Sequence, residues 1–202
     1  MPPSMSRSER LIPGVRLHPE IPHRVLPLAE RLSGRPPRIQ RALSLPNDVR
    51  AMLVHPTTPQ RPCEIRYAKG QELVLEHLIA HEVGHIVRLH QVPEAERLMP
   101  VMSAQSRWHA VEQITGELAP LEHQGLSAEQ VVALFVMWHE ALCTQLGSFP
   151  ADLRIEAWVH EQFPGLRPIQ RRSLLEEVAR NGPMFDRRVV ALTPRPSTTQ
   201  RW

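Results

Sequence analysis

Leu78-Ile79-Ala80-His81-Glu82-Val83-Gly84-His85-Ile86-Val87 is the stretch that decides the fold, and it lies inside an unbroken helical pattern from Gln71 to Gln91. Residues four apart share one face of a helix, so the His81 and His85 imidazoles can point at a single ion. Glu82 projects beside that ion, unligated and within proton-transfer reach of a water held there. The three fixed letters of H-E-x-x-H are a weak signal alone, and their surroundings carry the reading. Leu78, Ile79 and Ala80 precede the string, Ile86 and Val87 follow it, and neither variable position holds a proline or a charge. Such a helix is buried on most sides, and a buried histidine pair needs polar partners or a metal. Two plainer readings stand beside this one: a surface helix carrying histidines by composition, and a metal site without catalysis, which four protein ligands usually close.

Leu78 to Val87 resembles the active-site helix of the zincin metallopeptidases. The resemblance implies an α+β zincin-like fold, with a small antiparallel sheet, the active-site helix and a helical C-terminal half. It implies Zn2+ as cofactor, His81 and His85 as ligands, and Glu82 as the general base that returns its proton to the leaving amine. The metzincin extension would put Gly and His where Arg88 and Gln91 stand, with His90 one position short, so that subgroup does not fit. No Cys-x-x-Cys is present for a zinc ribbon. In broad shape, short strands followed by the motif helix, the chain resembles the intracellular bacterial metallopeptidases of the ImmA/IrrE type. Those are associated with cleaving repressor proteins, which implies a regulatory protein as substrate and a cytoplasmic location.

The third ligand must come from further along the chain, and Glu156 is the first candidate. It sits in Ser148-Phe-Pro-Ala-Asp152-Leu-Arg-Ile-Glu156-Ala157-Trp-Val-His160, where Ser148 can cap a short helix with Pro150 in its first turn. Asp152, Glu156 and His160 form a polar stripe at i, i+4 and i+8. A Glu followed by Ala resembles the third-ligand helix of the gluzincins, where a small residue permits close packing. Asp152 stays open as the ligand, or as an acceptor for the free N–H of a ligand histidine. Glu140, beside His139 on a long apolar helix, is the runner-up. His160 is either an oxyanion donor or a surface histidine, and His77 either flanks the metal or lines the cleft. Tyr67 is an oxyanion donor or a strand residue, whereas His109 and Glu112 read as a hydrated surface.

Two hundred and two residues with 42% hydrophobic content suit one ordinary globular domain. The two cysteines, Cys63 and Cys143, form no cluster, which fits a reducing, intracellular compartment. No signal peptide is expected, and residues 128–143 are too short and too interrupted to span a bilayer. The net charge is only +3, and Lys69 is the sole lysine among 24 basic residues. Arginine clusters at 35–41, 171–172 and 187–188 lack a glycine-rich loop or interleaved aromatics, which argues against a nucleic-acid site. A catalytically inactive binding module and a nucleic-acid-binding regulator remain the alternatives to a peptidase.

Twelve of the 21 prolines precede Cys63, so residues 1–40 read as a proline- and arginine-rich arm, extended or loosely wrapped, 41–193 as the zincin-like domain and 194–202 as a flexible tail. Arg50–His55 and Cys63–Tyr67 read as paired strands joined by the loop Pro56–Pro62. Residues 63–67 are expected to present the edge on which a substrate backbone adds as another strand. Helices are expected near 103–116, 127–146, 149–162 and 168–181, the first turn of the second carrying a capping box of Ser127 and Gln130.

Overall fold

A computed structural model describes residues 12, 15–46, 49–56, 58, 61–93 and 125–182, with isolated positions between 93 and 125. Expectations for a helix at 103–116 and a tail at 194–202 fall mainly or wholly outside the described residues. The chain divides into two compact units, one of Met1–Leu98 with Ala151–Glu176, the other of Met99–Pro150 with Glu177–Trp202.

In the first unit, a π-helical turn at Ile21–Val25 leads into helix α1, Leu26–Ser33. Strands β1 (Arg38–Arg41), β2 (Ala51–Val54) and β3 (Glu64–Tyr67) follow, then helix α2, Leu75–Gln91. The architecture is mixed α+β and mostly helical, but the sheet is not purely antiparallel. Its order is β1-β3-β2, with β1 parallel and β2 antiparallel to β3. β1 was hidden because Arg38-Ile-Gln-Arg41 has no apolar alternation; backbone pairing makes it a strand.

Within the expected arm, Ile21–Val25 and Leu26–Ser33 are helical and not extended, while residues 1–11, 13 and 14 lie outside the described residues. Ile21, Val25 and Ala29 are fully buried in the main core with Ile65, Ile79 and Ile155. Their i, i+4, i+8 spacing is a helical signal that the prolines obscured. Pro22 lies in the first turn of the helical run, where the missing N–H is no loss, and Pro27 directly follows the π-helical turn, at the start of α1.

The two helices expected at 127–146 and 149–162 are one, α3, Ala128–Gln162, which runs through Pro150. Ser148 is therefore not an N-cap. Helix α4, Arg167–Asn181, begins after a 3-10 turn at Pro164–Leu166. Within the second unit the capping box forms as expected, with Gln130 N–H donating to Ser127 Oγ at 3.3 Å and Ser127 N–H to Gln130 Oε1 at 2.9 Å. Val131 packs there with Leu126, Leu134 and Trp138.

Gly84 sets how closely α2 and α3 approach. A Cβ at this position would collide with Ile155, lying 3.1 Å from its Cγ1 and nearer still to its Cγ2, and Ile155 is 1% exposed. The small residue that permits close packing is thus Gly84 on the first helix, whereas Ala157 is exposed. Gly84→Val is expected to force the helices apart and lower stability by about 1–3 kcal/mol. Urea unfolding of variant and wild type checks this, and an unchanged midpoint would contradict the packing argument.

Candidate metal centre

Two stripes of four-residue spacing face each other across the α2–α3 contact. His77, His81 and His85 lie on α2; Asp152 and Glu156 lie on α3, running the opposite way. His77 Nε2 lies 3.0 and 2.9 Å from the Glu156 oxygens Oε1 and Oε2, and His81 Nδ1 lies 2.7 Å from Oε1. His81 Nε2 and His85 Nε2 lie 3.6 and 3.4 Å from Asp152 Oδ1. The His81 and His85 rings are 5.1 Å apart between centroids.

These distances fall into two classes. The contacts to Glu156, 2.7–3.0 Å, are hydrogen bonds by length. Those to Asp152, 3.4 and 3.6 Å, are too long for good hydrogen bonds. They match the ligand-to-ligand edge of a tetrahedron around zinc, about 3.3–3.4 Å for bonds of about 2.0–2.1 Å. Asp152 Oδ1 is also buried with no hydrogen-bond partner, a state that a cation would relieve. Among the described residues, two groups have donor atoms close enough for a metal: His77, His81 and Glu156, and His81, His85 and Asp152. The second fits an ion better, because its donors are spaced for coordination and not already bonded to one another.

Glu82 is 6% exposed, and burial raises its pKa, opposed by the nearby His81 and His85. The Leu53 backbone amide, in β2, opposes the rise as well. The Arg50 carbonyl accepts from Ala68 N–H, so Arg50, Met52 and Val54 occupy the rungs facing β3 and Leu53 N–H points to the outer edge. The edge nearest Glu82 is therefore β2. Residues 63–67 form the central strand, bonded on both sides, and cannot accept another strand.

Burial disfavours a protonated His81, but the carboxylates of Asp152 and Glu156 outweigh it and push its pKa up to about 10. Burial opposes ionisation of Asp152 and Glu156 too. The histidines nevertheless hold both carboxyls far below the usual carboxylate range, His81 and His85 acting on Asp152, His77 and His81 on Glu156. The sign follows for the metal-free protein. The contribution of His81 is complete below 6.5 and lost as pH rises toward about 10. The carboxylates contribute above their ordinary values of 3.8 and 4.5 and lose that contribution in acid. The melting temperature of chelator-treated protein should fall between pH 6.5 and 10, whereas zinc affinity should rise over the same range because binding displaces the His81 proton. A zinc affinity independent of pH would contradict this.

The other candidates fall elsewhere. Glu140 and His139 belong to neither metal-capable group, and His139 Nε2 lies 3.8 Å from Cys143 Sγ. Tyr67 is 4% exposed and packs in the core, with burial raising its pKa. His160 Nδ1 lies 3.3 Å from Gln170 Oε1, and His109 meets Glu112 at 3.8 Å on the surface. Gln170 escaped the sequence reading altogether; nothing in its local pattern marks it. A groove of about 510 Å3 between the α1 region and the end of α3, lined by His23, Arg24, Arg31, Trp158 and Phe163 among others, contains none of the metal-site residues.

No protein-family model, curated protein or solved structure matches this chain. Among the described residues, no helix is long and apolar enough to cross a membrane.

Proposed function

We propose that the chain is a zinc-dependent peptidase in which His81, His85 and Asp152 hold the ion and Glu82 is the general base. The observation that carries this reading is Asp152 Oδ1, buried without a hydrogen bond and placed 3.4–3.6 Å from both Nε2 atoms of an H-E-x-x-H helix, in ion-pair range of each. Glu156, the first candidate from sequence, moves one shell outward: its carboxylate accepts the His81 Nδ1–H and so orients that ring. His81, His85 and Asp152 would hold the ion, and zinc there would supply a water acidified toward a pKa of about 7 and a Lewis acid for the substrate carbonyl.

Glu82 takes the proton from the attacking water and delivers it to the leaving amine. Burial serves that role, because a carboxylate with a raised pKa is a stronger base and gives a proton up later as a usable acid. An extended substrate segment is proposed to run along the outer edge of β2, Ala51–Val54, in place of the 63–67 edge expected from sequence. The substrate class is a peptide or protein, with a regulatory protein the kind that the family resemblance favours.

The test is cleavage of a peptide library by zinc-loaded protein, followed by mass spectrometry. Internal peptide bonds should be cut, the activity should vanish with a zinc chelator, and added zinc should restore it. Absence of cleavage by protein shown to contain zinc would favour the binding-module alternative.

A further inference from the structure

Gln170 is 3% exposed, and a buried amide must find partners. It commits both amide hydrogens to one residue. Gln170 Nε2 lies 2.7 Å from Glu156 Oε2 and 2.8 Å from the Glu156 carbonyl oxygen. Glu156 therefore accepts from three side chains, Gln170, His77 and His81, and only His81 belongs to the proposed ligand set. A carboxylate held on both oxygens cannot swing toward the ion, and its Oε1 lone pair is fixed on His81 Nδ1.

The turn that carries Gln170 is itself anchored. Arg50, 7% exposed and immediately before β2, donates through Nη1 to the Ser173 carbonyl at 2.9 Å and to Ser173 Oγ at 3.1 Å. Its Nε donates to Gln71 Oε1 at 2.8 Å, just before α2. Helix α4 is thus tied to the sheet one turn beyond the residue that holds Glu156.

We infer that Gln170 is a positioning residue: it pins Glu156 so that His81 keeps its proton on Nδ1 and turns Nε2 toward the ion beside Asp152. This rests on the metal-site reading above. A glutamine that merely fills the core would stabilise the fold without acting through Glu156, and a double-mutant cycle separates the two roles.

The measurement is zinc affinity of the full chain, by competition with a chromogenic chelator. Gln170→Met keeps length and bulk but removes the donors, and zinc should bind about 10- to 100-fold more weakly. In a Glu156→Gln background the same change should cost less than about twofold, because the residue through which Gln170 acts is already altered. Should Gln170→Met not fold, Gln170→Glu is isosteric and polar, and should weaken zinc at least as much by repelling Glu156. Folded variants that bind zinc like wild type, or a loss equally large in both backgrounds, would overturn the inference. Wild-type protein that binds no zinc at all would instead remove the metal-site reading, and this is visible before any variant is made.

Discussion

Glu82→Gln is expected to lower turnover by about 10²- to 10⁴-fold while zinc content stays at the wild-type level. The substitution keeps the shape but removes the site that accepts a proton. Glu82 is 6% exposed and carries no part of the ligand set, so its loss should spare binding. Steady-state hydrolysis of a cleaved peptide, beside metal analysis of the same preparations, gives both numbers. Equal turnover in the two proteins would remove Glu82 from the chemistry and favour a docking role for the chain.

Asp152→Ala is expected to produce the largest loss of zinc among single carboxylate changes. On the proposed ligand set the ion would then keep only two imidazoles, whereas Glu156→Gln would only weaken the orientation of one of them. A loss of about 10- to 100-fold is the ordinary range for a partner that only orients a ligand, and Asp152→Ala should exceed it. The order matters more than either size. If Glu156→Gln empties the site and Asp152→Ala does not, the ion belongs with His77, His81 and Glu156, and the role of His85 disappears. The separation is clean because Asp152 and Glu156 contact different nitrogens of His81, Nε2 and Nδ1.

The H-E-x-x-H helix was legible because its signal is local. His81, Glu82 and His85 need only helical spacing to share a face, and α2 supplies it from Leu75 to Gln91. Asp152 and Glu156 were also legible as a stripe, but not their order. That depends on which rung of α3 faces which rung of α2, and Gly84 against Ile155 sets this register. The strand pair 51–54 and 64–67 followed from β-branched and apolar content, but the edge assignment failed. The third strand, Arg38–Arg41, joins by backbone bonds that leave no mark in its side chains. The N-terminal helical segment was missed for the opposite reason. Its prolines carry a strong loop signal, yet at helix starts they are neutral, and the buried Ile21–Val25–Ala29 row decides the outcome. Gln170 had no signal because its partner is 14 residues away on another helix.

The central claim, that two imidazoles one helical turn apart hold an ion with a carboxylate from α3, is tested most directly by equilibrium dialysis against zinc. Wild-type protein should bind one zinc per chain, and folded His81→Ala and His85→Ala variants should each bind it at least about 100-fold more weakly. A wild type that retains no zinc, or a His85→Ala variant that binds it equally well, would contradict the account.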